Sequence, residues 1–153
     1  VAMDERFVAA STSTHISVFS RADLALVGII PHPADILHLA SGRIVLRQSH
    51  EVMVYDAAHL DQLKCIGVVE PAKARRDGTL VVSGCTFAIV QNASVLMYSL
   101  ETLQLLYTME YDAMHIEGLA ASATRLVVLT RNKPEGLRRP SFSLQLLDFL
   151  AVP

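Results

Sequence analysis

Tryptophan is missing from these 153 residues, and glycine is scarce, with seven. So few glycines leave little room for a backbone loop that cradles phosphate, and no Walker-type loop, Gly-x-Ser-x-Gly elbow or His-Glu-x-x-His helix occurs. The two cysteines, Cys65 and Cys85, make no Cys-x-x-Cys, so a four-ligand structural zinc site has no framework. Charge of one sign is not in excess either: 13 basic against 15 acidic residues give a net −2. Phosphate neutralisation supplies much of nucleic-acid affinity, so without a basic stripe DNA or RNA is not expected as the principal partner. No apolar run approaches the roughly 18 residues that span a bilayer. Yet hydrophobic residues make up 52% of the chain, far too many for a disordered tail. They are spread over short β-branched stretches such as Arg43-Ile44-Val45-Leu46 and Arg125-Leu126-Val127-Val128-Leu129, as in sheets buried on both faces. Both cysteines lie in such stretches and are expected as buried free thiols. That suits a reducing compartment and a cytoplasmic location. Asn92-Ala93-Ser94 matches a glycosylation acceptor but reads equally as turn chemistry.

What the sequence does hold is a repeated phrase, a β-rich stretch closed by an aromatic or leucine and a polar residue. It occurs as His15-Ile16-Ser17-Val18-Phe19-Ser20, Glu51-Val52-Met53-Val54-Tyr55-Asp56, Ser94-Val95-Leu96-Met97-Tyr98-Ser99 and Leu144-Gln145-Leu146-Leu147-Asp148. Taking Phe19, Tyr55, Tyr98 and Leu147 as equivalent, the steps are 36, 43 and 49 residues. They bracket the roughly 40–45 residues of a four-stranded propeller blade. Each phrase is preceded by an apolar strand: Phe7-Val8-Ala9, Ile44-Val45-Leu46, Phe87-Ala88-Ile89-Val90 or Leu126-Val127-Val128-Leu129. A turn and another strand follow at Leu24-Ala25-Leu26-Val27, Gln62-Leu63-Lys64-Cys65-Ile66 and Leu103-Gln104-Leu105-Leu106-Tyr107. Ser99 through Leu106 has good helix formers, but its equivalents, Arg21 to Leu24 and Ala57 to Leu60, are turn-like, which decides for sheet. A single twisted sheet leaves two apolar faces open and must stack on its neighbours. The expectation is therefore an all-β, β-propeller chain of about four four-stranded antiparallel blades, at approximately 1–31, 32–70, 71–111 and 112–153. Closed rings more commonly have about seven blades, so the chain, which begins at Val1, is expected to be part of a larger propeller.

At these positions the chain resembles the WD40-repeat family. Tyr55-Asp56 and Leu147-Asp148 take the place of its Trp-Asp, with Phe19-Ser20 and Tyr98-Ser99 further from it. His32, 23 residues before Tyr55, stands where the family keeps a structural histidine. The chain has no Gly-His pair and no complete Asp-His-Ser-Trp set. A narrower likeness is to the PROPPIN subgroup, whose members bind phosphoinositides on autophagic and endosomal membranes. It rests on Arg43 to Leu46 leading to Val52-Met53-Val54-Tyr55-Asp56, and on Val95 through Glu110 followed by Gly118-Leu119-Ala120. Leu137-Arg138-Arg139-Pro140 looks like that group's lipid-reading Arg-Arg-Gly signature. However, it has Pro140 for the glycine and follows Gly118 too soon, so it is read as an accidental match.

Six histidines give one metal-like spacing, His32 and His38, but no acidic or cysteine partner accompanies it. His32 is expected in packing, His38 at a strand end, and His50 and His59 in solvated turns. Two basic segments remain as candidate binding loops. One is Lys73-Ala74-Arg75-Arg76-Asp77-Gly78, between blades. The other, Arg131 to Pro140, carries Arg131, Lys133, Arg138 and Arg139 against Glu135 and interrupts the last unit. No cofactor and no metal are expected. The function these features suggest is a non-catalytic scaffold that binds other proteins in a multi-subunit assembly. The alternative is a phosphoinositide-binding membrane adaptor. A hydrolase or transferase in a central channel would need convergent acidic or histidine residues in the loops, which the sequence does not offer.

Overall fold

The computed structural model describes residues 1–67, 79–111, 114–122, 125–132 and 141–148. Among them every regular element is a strand, and the strands form four antiparallel meanders. The first holds β1 (Ala2–Met3), β2 (Phe7–Ser11), β3 (Ile16–Ser20) and β4 (Leu26–Ile30). The second holds β5 (Ile36–Ala40), β6 (Arg43–Gln48), β7 (Glu51–Asp56) and β8 (Gln62–Gly67). The third holds β9 (Leu80–Ser83), β10 (Thr86–Gln91), β11 (Ser94–Ser99) and β12 (Leu105–Glu110). The fourth is three-stranded, with β13 (Met114–Ala121), β14 (Arg125–Asn132) and β15 (Phe142–Asp148). In each sheet the strands lie in chain order. These four sheets are the blades expected from the repeat, numbered 1 to 4 below. The first strands, which the repeated phrase does not reveal, complete the first three, while the fourth has three strands among the described residues rather than the four expected.

In the first three phrases the polar residue that closes the phrase starts a hairpin. Asp56 Oδ1 accepts the N–H groups of Ala58 (2.8 Å) and His59 (3.2 Å), and Ser99 Oγ those of Glu101 (3.2 Å) and Thr102 (3.1 Å). A short acceptor bonding its own downstream backbone is what makes Asp and Ser turn residues. The turn then passes through a left-handed leucine, Leu24 (φ 56°), Leu60 (φ 60°) or Leu103 (φ 58°). Each time the pairing shifts by one residue at the same step, between Val18 and Phe19, Val54 and Tyr55, and Met97 and Tyr98. The three hairpins are thus one structure written three times.

The chain divides into two compact units, Val1–Val68 and Val69–Pro153. In the first, β1 lies against β5 and blades 1 and 2 bury one core. Phe7, Ala9, Ile16, Val18 and Ile30 of blade 1 meet Leu39, Ile44, Leu46, Met53 and Tyr55 of blade 2. In the second, β9 lies against β13, and Ala88, Val90 and Val95 of blade 3 meet Ile116, Leu119, Leu126 and Val128 of blade 4. Directly paired residues share a sheet face. By register Leu126 pairs Leu147 as Ile44 pairs Tyr55, so blade 4 uses the same face toward blade 3 as blade 2 uses toward blade 1. This is the front face. The face of blades 1 and 3 that receives it is the back.

Candidate interaction faces

The repeat positions divide into packing and polar roles. Phe19 is half-buried on the front of blade 1. Tyr98 is buried and stacks on Phe87, with centroids 5.0 Å apart and planes at 12°. Leu147 packs against the second core. Tyr55 is buried in the first core, and its hydroxyl lies 2.8 Å from His32 Nε2, 3.3 Å from Gln62 Oε1 and 3.7 Å from Met53 Sδ. If His32 carries its proton on Nε2, it donates to the tyrosine oxygen and the hydroxyl proton goes on to Gln62. The buried Nδ1, which has no partner among the described residues, is then a lone pair rather than a stranded N–H. His32 is thus a packing histidine. His59 is exposed in the turn, 3.3 Å from Asp56, whereas His38 sits inside β5 rather than at a strand end. No group of three or more metal-ligating side chains occurs among the described residues.

Asp56 also ion-pairs with Arg43, its cross-strand partner, and Asp148 pairs with Arg125 (3.7 Å) at the same register in blade 4. Between blades 1 and 2 the polar latch is Asp4. Its Oδ1 accepts from the N–H groups of Arg6 (2.8 Å) and Phe7 (2.9 Å), and its Oδ2 from Gly42 of the second blade (2.9 Å). Burial pushes the Asp4 carboxyl up, but these N–H groups and the Arg6 charge outweigh it and hold the pKa below the usual 3.8. Asp56 is lowered in the same way: burial opposes, while the Ala58 and His59 N–H groups and Arg43 prevail. A carboxyl depressed in the folded state contributes stability above its unfolded pKa and loses it as pH falls through the folded value. Acidification from about pH 5 to about pH 3 should therefore lower the urea midpoint of the first unit, and Asp4→Asn should flatten that slope. A slope unchanged in Asp4→Asn would remove Asp4 from the latch.

Of the basic loop residues, Arg131 lies not in a loop but in β14, paired with Phe142. Its guanidinium is taken by Glu117, Nε to Oε1 2.8 Å, so its charge is neutralised where it stands. The strand continues past the point where the sequence turns irregular because the ladder to β15 extends that far. Arg75, Arg76, Lys133, Arg138 and Arg139 lie outside the described residues. The cysteines correct an expectation: both are free and exposed. Cys65 is on β8, a fourth strand with only one side in the ladder, and Cys85 is in the turn between β9 and β10, so apolar neighbours in sequence did not bring burial.

Among the described residues three apolar surfaces stand open, and the repeat alone does not announce them. On the back of blade 4, Leu144 and Leu146 are 70% and 60% exposed, where their equivalents Ile16 and Val18 in blade 1 are fully buried. On the front of blade 1, Met3 and Leu26 are exposed and flank half-buried Val8 and Phe19. The third is the edge of a four-stranded blade. Leu105, Leu106 and Tyr107 on β12 are consecutive, large and nearly half exposed. Alternation would have hidden every second one, and the register shift at Met97 and Tyr98, which leaves Leu106 unpaired, breaks it.

No family model matches the sequence, and no curated protein matches it. Solved structures do, and what they share with the chain is a fold, the WD40-like β-propeller. The N-terminal domain of Nup159 superposes with a TM-score of 0.59 at 10% identity, over 95% of this chain and 43% of that one. Kluyveromyces lactis Hsv2p gives 0.53 at 10% identity, over 85% and 43%. A eukaryotic initiation factor gives 0.65 at 10% identity, over 96% of this chain and 40% of that one. The chain thus spans less than half the length of these propellers.

Proposed function

We propose that the chain is part of a non-catalytic propeller scaffold, working in the cytoplasm, that docks another protein along β12. The observation that carries this is the Leu105-Leu106-Tyr107 edge. A fourth strand has one row of N–H and C=O groups outside the ladder, and edges that must stay single are usually guarded by Lys or Pro. The fourth strand of blade 2 carries Lys64; β12 has neither residue and presents apolar side chains instead. An open edge beside apolar side chains suits an added strand or an apolar ridge of a protein partner. The reading requires no catalytic group.

The test is a photo-crosslinking amino acid at Tyr107 with and without Leu106→Asp. A solvent-facing change of this kind should alter stability by less than about 0.5 kcal/mol, yet abolish the crosslinked protein species. Species that persist unchanged in Leu106→Asp would sink the reading. The alternative, a phosphoinositide-binding adaptor, is supported by the PROPPIN likeness in sequence and by the basic residues around Arg138 and Arg139. It predicts flotation with phosphoinositide vesicles at physiological salt, lost on Arg138→Glu with Arg139→Glu. Equal flotation with neutral vesicles would dismiss it.

A further inference from the structure

The edge strand β12 carries information about what docks on it. The Tyr111 N–H donates to the Ala93 carbonyl (2.8 Å), and the ladder continues with Glu110 opposite Ser94, Met109 opposite Val95 and Thr108 opposite Leu96. Hydrogen-bonded and non-bonded pairs alternate along an antiparallel ladder. Met109 therefore turns its backbone groups toward β11, as Tyr111 does, while Thr108 and Glu110 turn theirs away from the sheet. On that side β12 is the last strand, so among the described residues no strand pairs with those N–H and C=O groups.

Charge around this edge has one sign. Residues 79–111 hold no Lys, Arg or His and two acids, Glu101 and Glu110. Both are exposed, and among the described residues neither is in an ion pair. Glu101 stands in the turn that leads into β12, and Glu110 is the last residue of that six-residue strand. An acid therefore lies at each end of an open edge about 17 Å long, at about 3.4 Å per residue. This arrangement opposes pairing of β12 with a second copy of itself. An antiparallel pair would set the Glu110 end of each copy beside the Glu101 end of the other, and a parallel pair would set Glu110 beside Glu110. Like charges meet either way, which destabilises a strand pair.

We propose that the segment docked on β12 is an extended strand of a partner protein, apolar in its middle and carrying Lys or Arg at both ends. The inference rests on the reading of β12 as the docking edge and adds the chemistry of what occupies it. The partner's backbone continues the ladder at Thr108 and Glu110. Its apolar side chains lie along Leu105, Leu106 and Tyr107, and its cations meet Glu101 and Glu110. In strand addition the main-chain bonds supply affinity, and the side chains supply specificity. Charges at the rim of such a contact speed association and exclude partners of the wrong sign.

The test keeps the photo-crosslinking amino acid at Tyr107 and combines it with Glu101→Lys and Glu110→Lys. Both glutamates are exposed, so the Tm should stay that of the parent, while capture of the partner falls at least about 10-fold. Glu101→Gln with Glu110→Gln removes the attraction without adding repulsion and should lose less. Mass spectrometry of the crosslinked peptide should find Lys or Arg on both sides of the attachment point. Changing those residues to Glu in the partner should restore capture by the lysine pair. Hydrogen exchange at the Thr108 and Glu110 amides should slow at least about 10-fold in the complex. Amides that stay unprotected, or a captured segment without flanking cations, would overturn the proposal. Capture that is lost in Leu106→Asp but unchanged in the lysine pair would also overturn it and leave the docking edge standing. Capture unchanged in both variants would overturn the docking edge as well.

Discussion

Replacing Tyr55 with alanine should cost the first unit about 3–5 kcal/mol, and replacing it with phenylalanine only about 1–2 kcal/mol. The ring accounts for most of the larger figure. It sits in the core between blades 1 and 2, so truncation leaves a void along the seam where Ile44, Leu46 and Met53 meet blade 1. Phenylalanine keeps the ring and removes the hydroxyl, which stands between His32 and Gln62. That would strand the His32 Nε2 proton as well as its Nδ1 lone pair, and an unsatisfied buried donor is the costly part of such a change. Urea denaturation at neutral pH measures both, read as a shift in midpoint at constant slope. A total stability of about 5–15 kcal/mol is usual for a domain, so Tyr55→Ala should come near to unfolding the unit at 37 °C. Equal costs for the two variants would mean that the hydroxyl, not the ring, holds the seam. A cost below about 1 kcal/mol for alanine would mean that the blades do not depend on this contact.

The architecture was legible because the hairpin chemistry is local. Tyr55-Asp56 and Tyr98-Ser99 advertise a strand end and a turn by residue type alone, and four copies of the phrase at about blade spacing imply stacked sheets. The first strands were not legible. Ala2–Met3 is two residues long, and Ile36–Ala40 holds a histidine, so neither shows a period. Burial was the least legible quantity. Met3, Val8 and Phe19 read in sequence much as Leu39, Ile44 and Tyr55 do, yet one set is open and the other closed. The difference lies in the neighbouring blade, which local sequence does not encode. Cys65 was misread for the same reason, since a strand's apolar content does not say whether it lies at an edge. Arg131 was assigned to a loop by its charge and by the prolines beyond it, while its backbone is governed by the ladder to β15. The faces that now matter most for function follow from register.

Leu60 of blade 2 lies over Gly28 of blade 1, where a Cβ would come within 2.7 Å of Leu60 Cδ1, and this contact gives the second large expected effect. Gly28→Val should destabilise the first unit by about 1–2 kcal/mol, the lower part of the overpacking range. The backbone does not cause this, because φ at Gly28 lies outside the left-handed region and a side chain is allowed there on conformational grounds. The cost is collision with Leu60 Cδ1, and because that atom is the end of a flexible side chain the leucine gives way in part, which keeps the cost in the lower part of that range. Leu60→Ala removes the colliding carbons and should cost about 1 kcal/mol alone, since that leucine is only partly buried. In the double variant the valine fills the space the leucine vacates, so the combined cost should fall below the sum of the single costs by at least about 1 kcal/mol. Additive costs would mean that Gly28 is required by something other than the leucine above it. A combined cost below the sum would establish that blade 2 is fitted to blade 1 through this one leucine and the glycine beneath it.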